Sequence, residues 1–100
     1  MTGRLAHAIR HVADIERGLG NVAKAGPCYE EALAIYRADE ETPALELANA
    51  IRGYALLTGE SGDTEKAKYL WYEAQALYEK AGVAAGVEGS QRQIAYLMGR

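Results

Sequence analysis

Apolar positions recur along the chain with a helical period, in stretches separated by short polar or glycine-containing breaks. Leu5, Ile9, Val12, Ala13 and the Ile15-Glu16 step trace one face at i, i+4, i+7 and i+8, the spacing of an amphipathic helix. Leu19-Gly20-Asn21 interrupts it, with Asn21 placed to cap the next helix. Ala25, Cys28, Tyr29, Ala32, Ile35 and Tyr36 form the second stripe. At the break Glu40-Glu41-Thr42-Pro43, Thr42 is the expected cap and Pro43 the expected first helical residue. Leu47, Ile51, Tyr54, Ala55 and Thr58 make a third stripe. A turn comes next at Gly59–Asp63, with Asp63 as cap, and then a fourth stripe of Ala67, Leu70, Trp71, Ala74, Leu77 and Tyr78. The segment 82–89 reads weakly, because Gly82, Gly86 and Gly89 each cost about 1 kcal/mol inside a helix. A fifth helix is nevertheless expected over 84–99. The pattern predicts an all-α protein of antiparallel hairpins.

The stripes repeat at a spacing of 42 residues. Leu5–Tyr36 set on Leu47–Tyr78 without a gap gives thirteen identities, among them Ala6/Ala48, Arg10/Arg52, Ala13/Ala55, Gly20/Gly62, Ala25/Ala67, Ala32/Ala74 and Tyr36/Tyr78. A third, partial copy is visible at a spacing of 40, where RQIAYLMG (Arg92–Gly99) matches RGYALLTG (Arg52–Gly59). A fixed period of this length is the mark of stacked units that bury their apolar faces on one another. The expected units span about 3–39 and 43–81, with an unpaired helix over 84–99, all in one domain.

Composition narrows the class of function. Of the 100 residues, 49% are hydrophobic, enough for a continuous core without disulfides. The net charge of −3 argues against nucleic acid or an anionic membrane as partner. The single cysteine, Cys28, cannot close an internal disulfide and fits a reducing compartment. The first ten residues lack the apolar run of a signal peptide, and no apolar run is long enough to span a bilayer. A cytoplasmic protein is the expectation.

The paired units resemble the tetratricopeptide repeat, in the 42-residue form found in kinesin light chains and bacterial repeat proteins. The resemblance rests on Ile9 and Ile51 opening the first helix of each unit, and on Val12-Ala13 and Tyr54-Ala55. The turns Gly20-Asn21 and Gly62-Asp63 also match, as do Ala25/Ala67, Tyr29/Trp71 and Ala32/Ala74 in the second helix. Small residues at helix crossings permit close approach and large ones fill the gaps. Glu16 and Thr58 depart from the tyrosine usual in the shorter form, and the proline closing the second helix is absent. The resemblance implies an α-α superhelix of about two and a half hairpins, acting as a non-catalytic protein- or peptide-binding scaffold without a cofactor. It implies further that the first helices line a concave groove. Arg10, Arg52 and Arg92 then form an equivalent ladder there, suited to an acidic partner segment. His7, Asp14, Arg17, Asn49, Leu56, Glu60 and Tyr96 are its neighbours. Asp14 and Leu56 stand where clamps for chaperone tails carry asparagine, so that motif is not the expected ligand.

Other residues carry weaker chemical signals. His7, His11 and Asp14 share a helix face at i, i+4 and i+7, a spacing open to a divalent metal and hence to a metal-dependent enzyme. No second histidine-bearing motif completes the ligand set, and a polar helix face explains the same residues; no metal is expected. Cys28 lies within an apolar stripe with no histidine at a motif-like spacing, which is the setting of an inert thiol. Gly59-Glu-Ser-Gly-Asp-Thr lacks the Lys-Ser/Thr ending of a phosphate loop. Trp71, Tyr29, Tyr36 and Tyr78 are expected in the core, whereas Tyr69 and Tyr72 fall off the stripe. Pro27 inside the second helix implies a kink or a later start.

The C-terminal helix is apolar on more than one side through Ile94, Tyr96, Leu97 and Met98. Terminal units of a solenoid ordinarily show a polar outer face. That helix is therefore expected either to self-associate, giving a homo-oligomer, or to continue into a longer array.

Overall fold

The structure, a computed structural model, describes residues 2–99, with side chains from Gly3 onward. Five helices run in order: α1 (Thr2–Gly18), α2 (Val22–Ala38), α3 (Ala44–Glu60), α4 (Thr64–Ala81) and α5 (Ala84–Met98). No strand occurs among the described residues. Helix α1 packs on α2, α3 on α4 and α4 on α5, while α3 also leans on α2 and touches α1. The connections are too short for anything but antiparallel neighbours. The row of hairpins measures 41 × 32 × 18 Å, its thinnest dimension being two helices of about 10 Å each.

Three of the four turns are built alike. Gly20, Gly62 and Gly82 adopt left-handed φ of 78°, 91° and 73°. In each case the next amide donates back five residues: Asn21 to Glu16, Asp63 to Thr58 and Val83 to Tyr78, at 2.8–3.0 Å. This is the glycine-terminated helix end, which satisfies carbonyls that would otherwise lack donors. The turn between α2 and α3 differs. Thr42 does not cap α3; its Oγ1 donates to the Tyr36 carbonyl at 2.7 Å, and Pro43 takes the cap position with α3 starting at Ala44. Asp63 caps α4 through its side chain, accepting from the Lys66 amide at 3.2 Å. Asn21 occupies the cap position of α2 without capping it, and its Nδ2 donates instead to Glu16 Oε2 at 2.8 Å. Pro27 sits inside α2, which still begins at Val22; the later start allowed by the sequence does not occur.

Residues 42 apart occupy matching core sites. Ala6/Ala48, Ala13/Ala55, Ala25/Ala67 and Ala32/Ala74 are all fully buried, and so are the rings of Tyr29/Trp71 and Tyr36/Tyr78 or nearly so. Alanine at the crossings brings backbones close, and aromatic rings fill the space between them. Two glycines extend the same logic. A Cβ on Gly53 would stand 2.7 Å from the Tyr29 ring, and one on Gly86 only 2.3 Å from the ring of Tyr78. Gly86, which weakens the helix reading of 82–89, is what lets α5 seat on α4.

Two expectations fail against this packing. In α1 the buried face is Ala6 and Ala13, whereas Leu5, Val12 and Ile15 are 49–60% exposed. The stripe has the right period, but no described helix lies on the outer side of α1. In α5, Ile94 and Leu97 are 7% and 5% exposed and belong to the core. They pack inward within the α4–α5 hairpin and are not available to a second molecule. Of that proposed self-association set only Tyr96 and Met98 remain exposed.

Candidate functional site

The polar centre of the molecule is assembled by tyrosines that leave the second helix of each unit and end among the first helices. Tyr78 of α4 has a buried ring, and its hydroxyl donates to Asn49 Oδ1 of α3 at 2.7 Å. Burial raises its pKa above the ordinary value, while the charges of Arg52 and then Arg10 pull it down. One hydroxyl thus feels the charges of both arginines. The equivalent Tyr36 of α2 directs its hydroxyl at Glu46 Oε2, 3.5 Å away. Its pKa is raised by burial and by the Glu46 carboxylate, with Arg10 opposing. His7 Nδ1 lies 3.6 Å from the same carboxylate. His7, Arg4, Tyr36 and Glu46 border a cleft of about 400 Å³. Within this cluster the Arg10 Nε is buried and has no hydrogen-bond partner among the described residues.

A second cluster lies nearer the C-terminal ends of α1 and α3. The Tyr29 hydroxyl donates to Asp14 Oδ1 at 2.5 Å and accepts from Arg17 Nε at 3.1 Å. Burial first, and then the bond to Asp14, push Tyr29 up to about 12 against the opposing pull of Arg17. Burial works to lower the Arg17 pKa, but the bond to Tyr29 and then the charges of Tyr29, Glu60 of α3 and Asp14 raise it overall. Asp14 and Arg17 therefore join α1 to α2 and are partly committed to that bond. Beside them Leu56, Glu60, Trp71, Gln93 and Tyr96 line a cleft of about 260 Å³ between α3 and α5.

The expected groove residues thus fall into two adjoining groups: His7, Arg10, Asn49 and Arg52, then Asp14, Arg17, Leu56, Glu60 and Tyr96. Arg92 stands apart. It is exposed on α5, its guanidinium 3.9 Å from where a Gly89 side chain would begin, and among the described residues it shares no partner with the other two arginines. His7 and His11 do meet, Nε2 to Nε2 at 3.0 Å with rings edge-on, but Asp14 is turned away to Tyr29. Among the described residues no group of three or more His, Cys, Asp or Glu side chains is gathered as a metal site. Cys28 is half-buried and its thiol is free. Tyr69 and Tyr72 are exposed, and the Tyr72 hydroxyl lies 3.8 Å from the Met98 sulfur.

Sequence reasoning overlooked Glu46 and the hydroxyls of Tyr36 and Tyr78. A stripe counts tyrosine as a ring. The one available signal was that phenylalanine is absent from a chain with seven tyrosines, so the hydroxyl itself is in use at core positions.

On the other side of the α2–α3–α4 joint, Tyr54 donates to Glu30 Oε2 and accepts from Lys66 Nζ, both at 2.7 Å. The ammonium stands 4.7 Å over the ring. One side chain from each of three helices meets there, and this pins the second unit to the first.

Stacked antiparallel hairpins whose first helices gather polar side chains on one face define a helical-repeat scaffold. The chain belongs to the tetratricopeptide repeat family: the family's sequence profile matches residues 4–80, which takes in nearly all of α1 to α4. No curated protein and no solved structure matches the chain significantly. Tetratricopeptide repeats are protein–protein interaction scaffolds and are typically non-catalytic. None of the described helices is long and apolar enough to cross a membrane.

Proposed function

We propose that the chain binds an acidic protein segment along the face shared by α1 and α3, without catalysing a reaction. The carrying observation is the state of its cations. Arg37 is paired with Glu73 at 2.7 Å and Lys68 with Glu65 at 3.0 Å. Arg10 and Arg52 have no carboxylate partner among the described residues, as is true also of Arg4, Lys24, Lys80 and Arg92, but these two alone act together on the Tyr78 hydroxyl. The buried Arg10 Nε has no partner among the described residues, so no internal carboxylate competes for this guanidinium. Guanidinium suits the role because it takes carboxylate oxygens in a planar fork. Leu56 and Tyr96 offer apolar contact next to the charged stretch. A cytoplasmic setting agrees with the free thiol.

Trp71 is the only tryptophan and borders the cleft, so its fluorescence reports occupancy. Titration with acidic and charge-neutral peptides is expected to show an acidic preference that fades with added salt. Arg10→Ala/Arg52→Ala should weaken binding at least tenfold while changing stability by less than about 1 kcal/mol. Equal binding by the double variant, or no acidic preference, refutes this reading.

A further inference from the structure

We propose that His7 and His11 form a two-imidazole chelate for a divalent transition-metal ion of the nickel(II) or copper(II) type, clipped across one turn of α1. They are the only histidines in the chain, and at four residues apart they share a helix face. Their Nε2 atoms stand 3.0 Å from each other. With metal–nitrogen bonds of about 2.0–2.1 Å, nitrogens at that separation subtend roughly 95° at a shared ion. A tetrahedral zinc would need them roughly 3.3 Å apart. A near-right angle belongs to adjacent corners of a square-planar or octahedral ion, the geometry in which nitrogen ligands hold copper(II) and nickel(II). The two rings are almost perpendicular, at 85°, so they can take adjacent corners without their ring hydrogens colliding.

This chelate differs from the three-ligand set that the spacing of His7, His11 and Asp14 offers. Asp14 is engaged by the Tyr29 hydroxyl and is not among the ligands. Glu46 of α3 contributes indirectly instead. Its Oε2 lies 3.6 Å from His7 Nδ1, where a negative charge favours the tautomer with the proton on Nδ1. The lone pair of His7 Nε2 then faces His11, as in metal sites where a carboxylate orients the ligating imidazole. Without an ion the proton shared by the two Nε2 atoms sits on His11. An ion takes its place, and that proton passes through water to His11 Nδ1.

The setting favours occupancy. Ala6 and Ala13, on another face of the helix, are fully buried. Packing therefore already holds the turn that carries the pair, and little freedom is lost on chelation. The His7 side chain is 47% exposed and His11 is exposed, so an ion reaches both while keeping water on its other positions. Arg4 and Arg10 on the same helix oppose a dication and Glu46 favours it. Coordinate bonds, not net charge, supply the affinity.

The test is calorimetric titration of the untagged full-length chain with nickel(II). One ion per chain is expected, with copper(II) tighter than nickel(II) and zinc(II) weaker than both. His7→Gln and His11→Gln should each lower nickel affinity at least tenfold while helicity by circular dichroism stays constant. His11→Gln/Val12→His uses an exposed position and keeps two imidazoles, but sets them about 140° apart around the helix in place of about 40°. It should bind as weakly as His11→Gln alone. Nickel should also raise the melting temperature of the wild type and of none of these variants. None of these readouts involves a protein partner, so the outcome stands apart from the acidic-segment reading. A wild type that binds no nickel overturns the proposal. So does affinity that survives either single substitution or the displaced histidine, the result that two independent imidazoles would give. Zinc binding more tightly than nickel overturns it as well.

Discussion

Tyr29 shows how one side chain here serves both packing and polarity. Its ring is fully buried in a space that only glycine at position 53 leaves open, and its hydroxyl ties Asp14 and Arg17 of α1 to α2. Its pKa is raised from the ordinary 10 to about 12, so the fold favours the protonated hydroxyl. The resulting stability is complete below pH 10 and is lost as pH rises through 12. A rise of this size corresponds to a contribution on the order of 2 kcal/mol. Melting temperature tracked from about pH 9 to 12 should fall for the wild type, and Tyr29→Phe should start lower and fall less steeply. A Tyr29→Phe curve parallel to the wild type would show that other tyrosines carry the alkaline transition. The ring's burial was legible from its place in the stripe; its partners on α1 were not, because no local rule pairs residues 12 and 15 positions apart.

Helix ends divide into those set by local chemistry and those set by neighbours. Asp63 and Asn21 hold equivalent positions, yet only Asp63 caps its helix through the side chain. Asp63→Ala should therefore lower stability by about 1 kcal/mol in thermal or urea unfolding, and Asn21→Ala by less than half as much. Equal losses would mean that the bond from Asn21 to Glu16 is worth a full cap. The glycine turns were readable because left-handed φ nearly selects the residue. The α2–α3 turn departs from its expectation by one residue, because Thr42 could serve either the new helix or the carbonyl at the end of the old one.

At the level of the stack, each helix depends on its neighbours, as expected of a nearly one-dimensional array. Helix α5 rests chiefly on α4, and Ile94 and Leu97 are its buried anchors. Leu97→Ala should cost about 2–4 kcal/mol, and hydrogen exchange should show the largest loss of protection in α4 and α5. Uniform loss through α1 would mean that the five helices unfold as one unit. The polar cluster around Tyr78 is likewise a property of the assembly. Arg10 of α1 and Arg52 of α3 both act on this hydroxyl of α4, a meeting of three helices that only the tertiary arrangement provides.

Helix number, turn chemistry, the alanine crossings and membership of a repeat family were all written in the one-dimensional pattern. Each depends on periods, on φ preferences or on side-chain size, which act over a few residues or recur at a constant interval. Which apolar stripe meets a neighbour and which meets solvent was decided by stacking. Val12 and Tyr54 share a register position, yet one is half exposed and the other buried. The difference is not in either residue but in whether a helix lies across it. Periodicity specifies a face; only packing in three dimensions specifies what covers it.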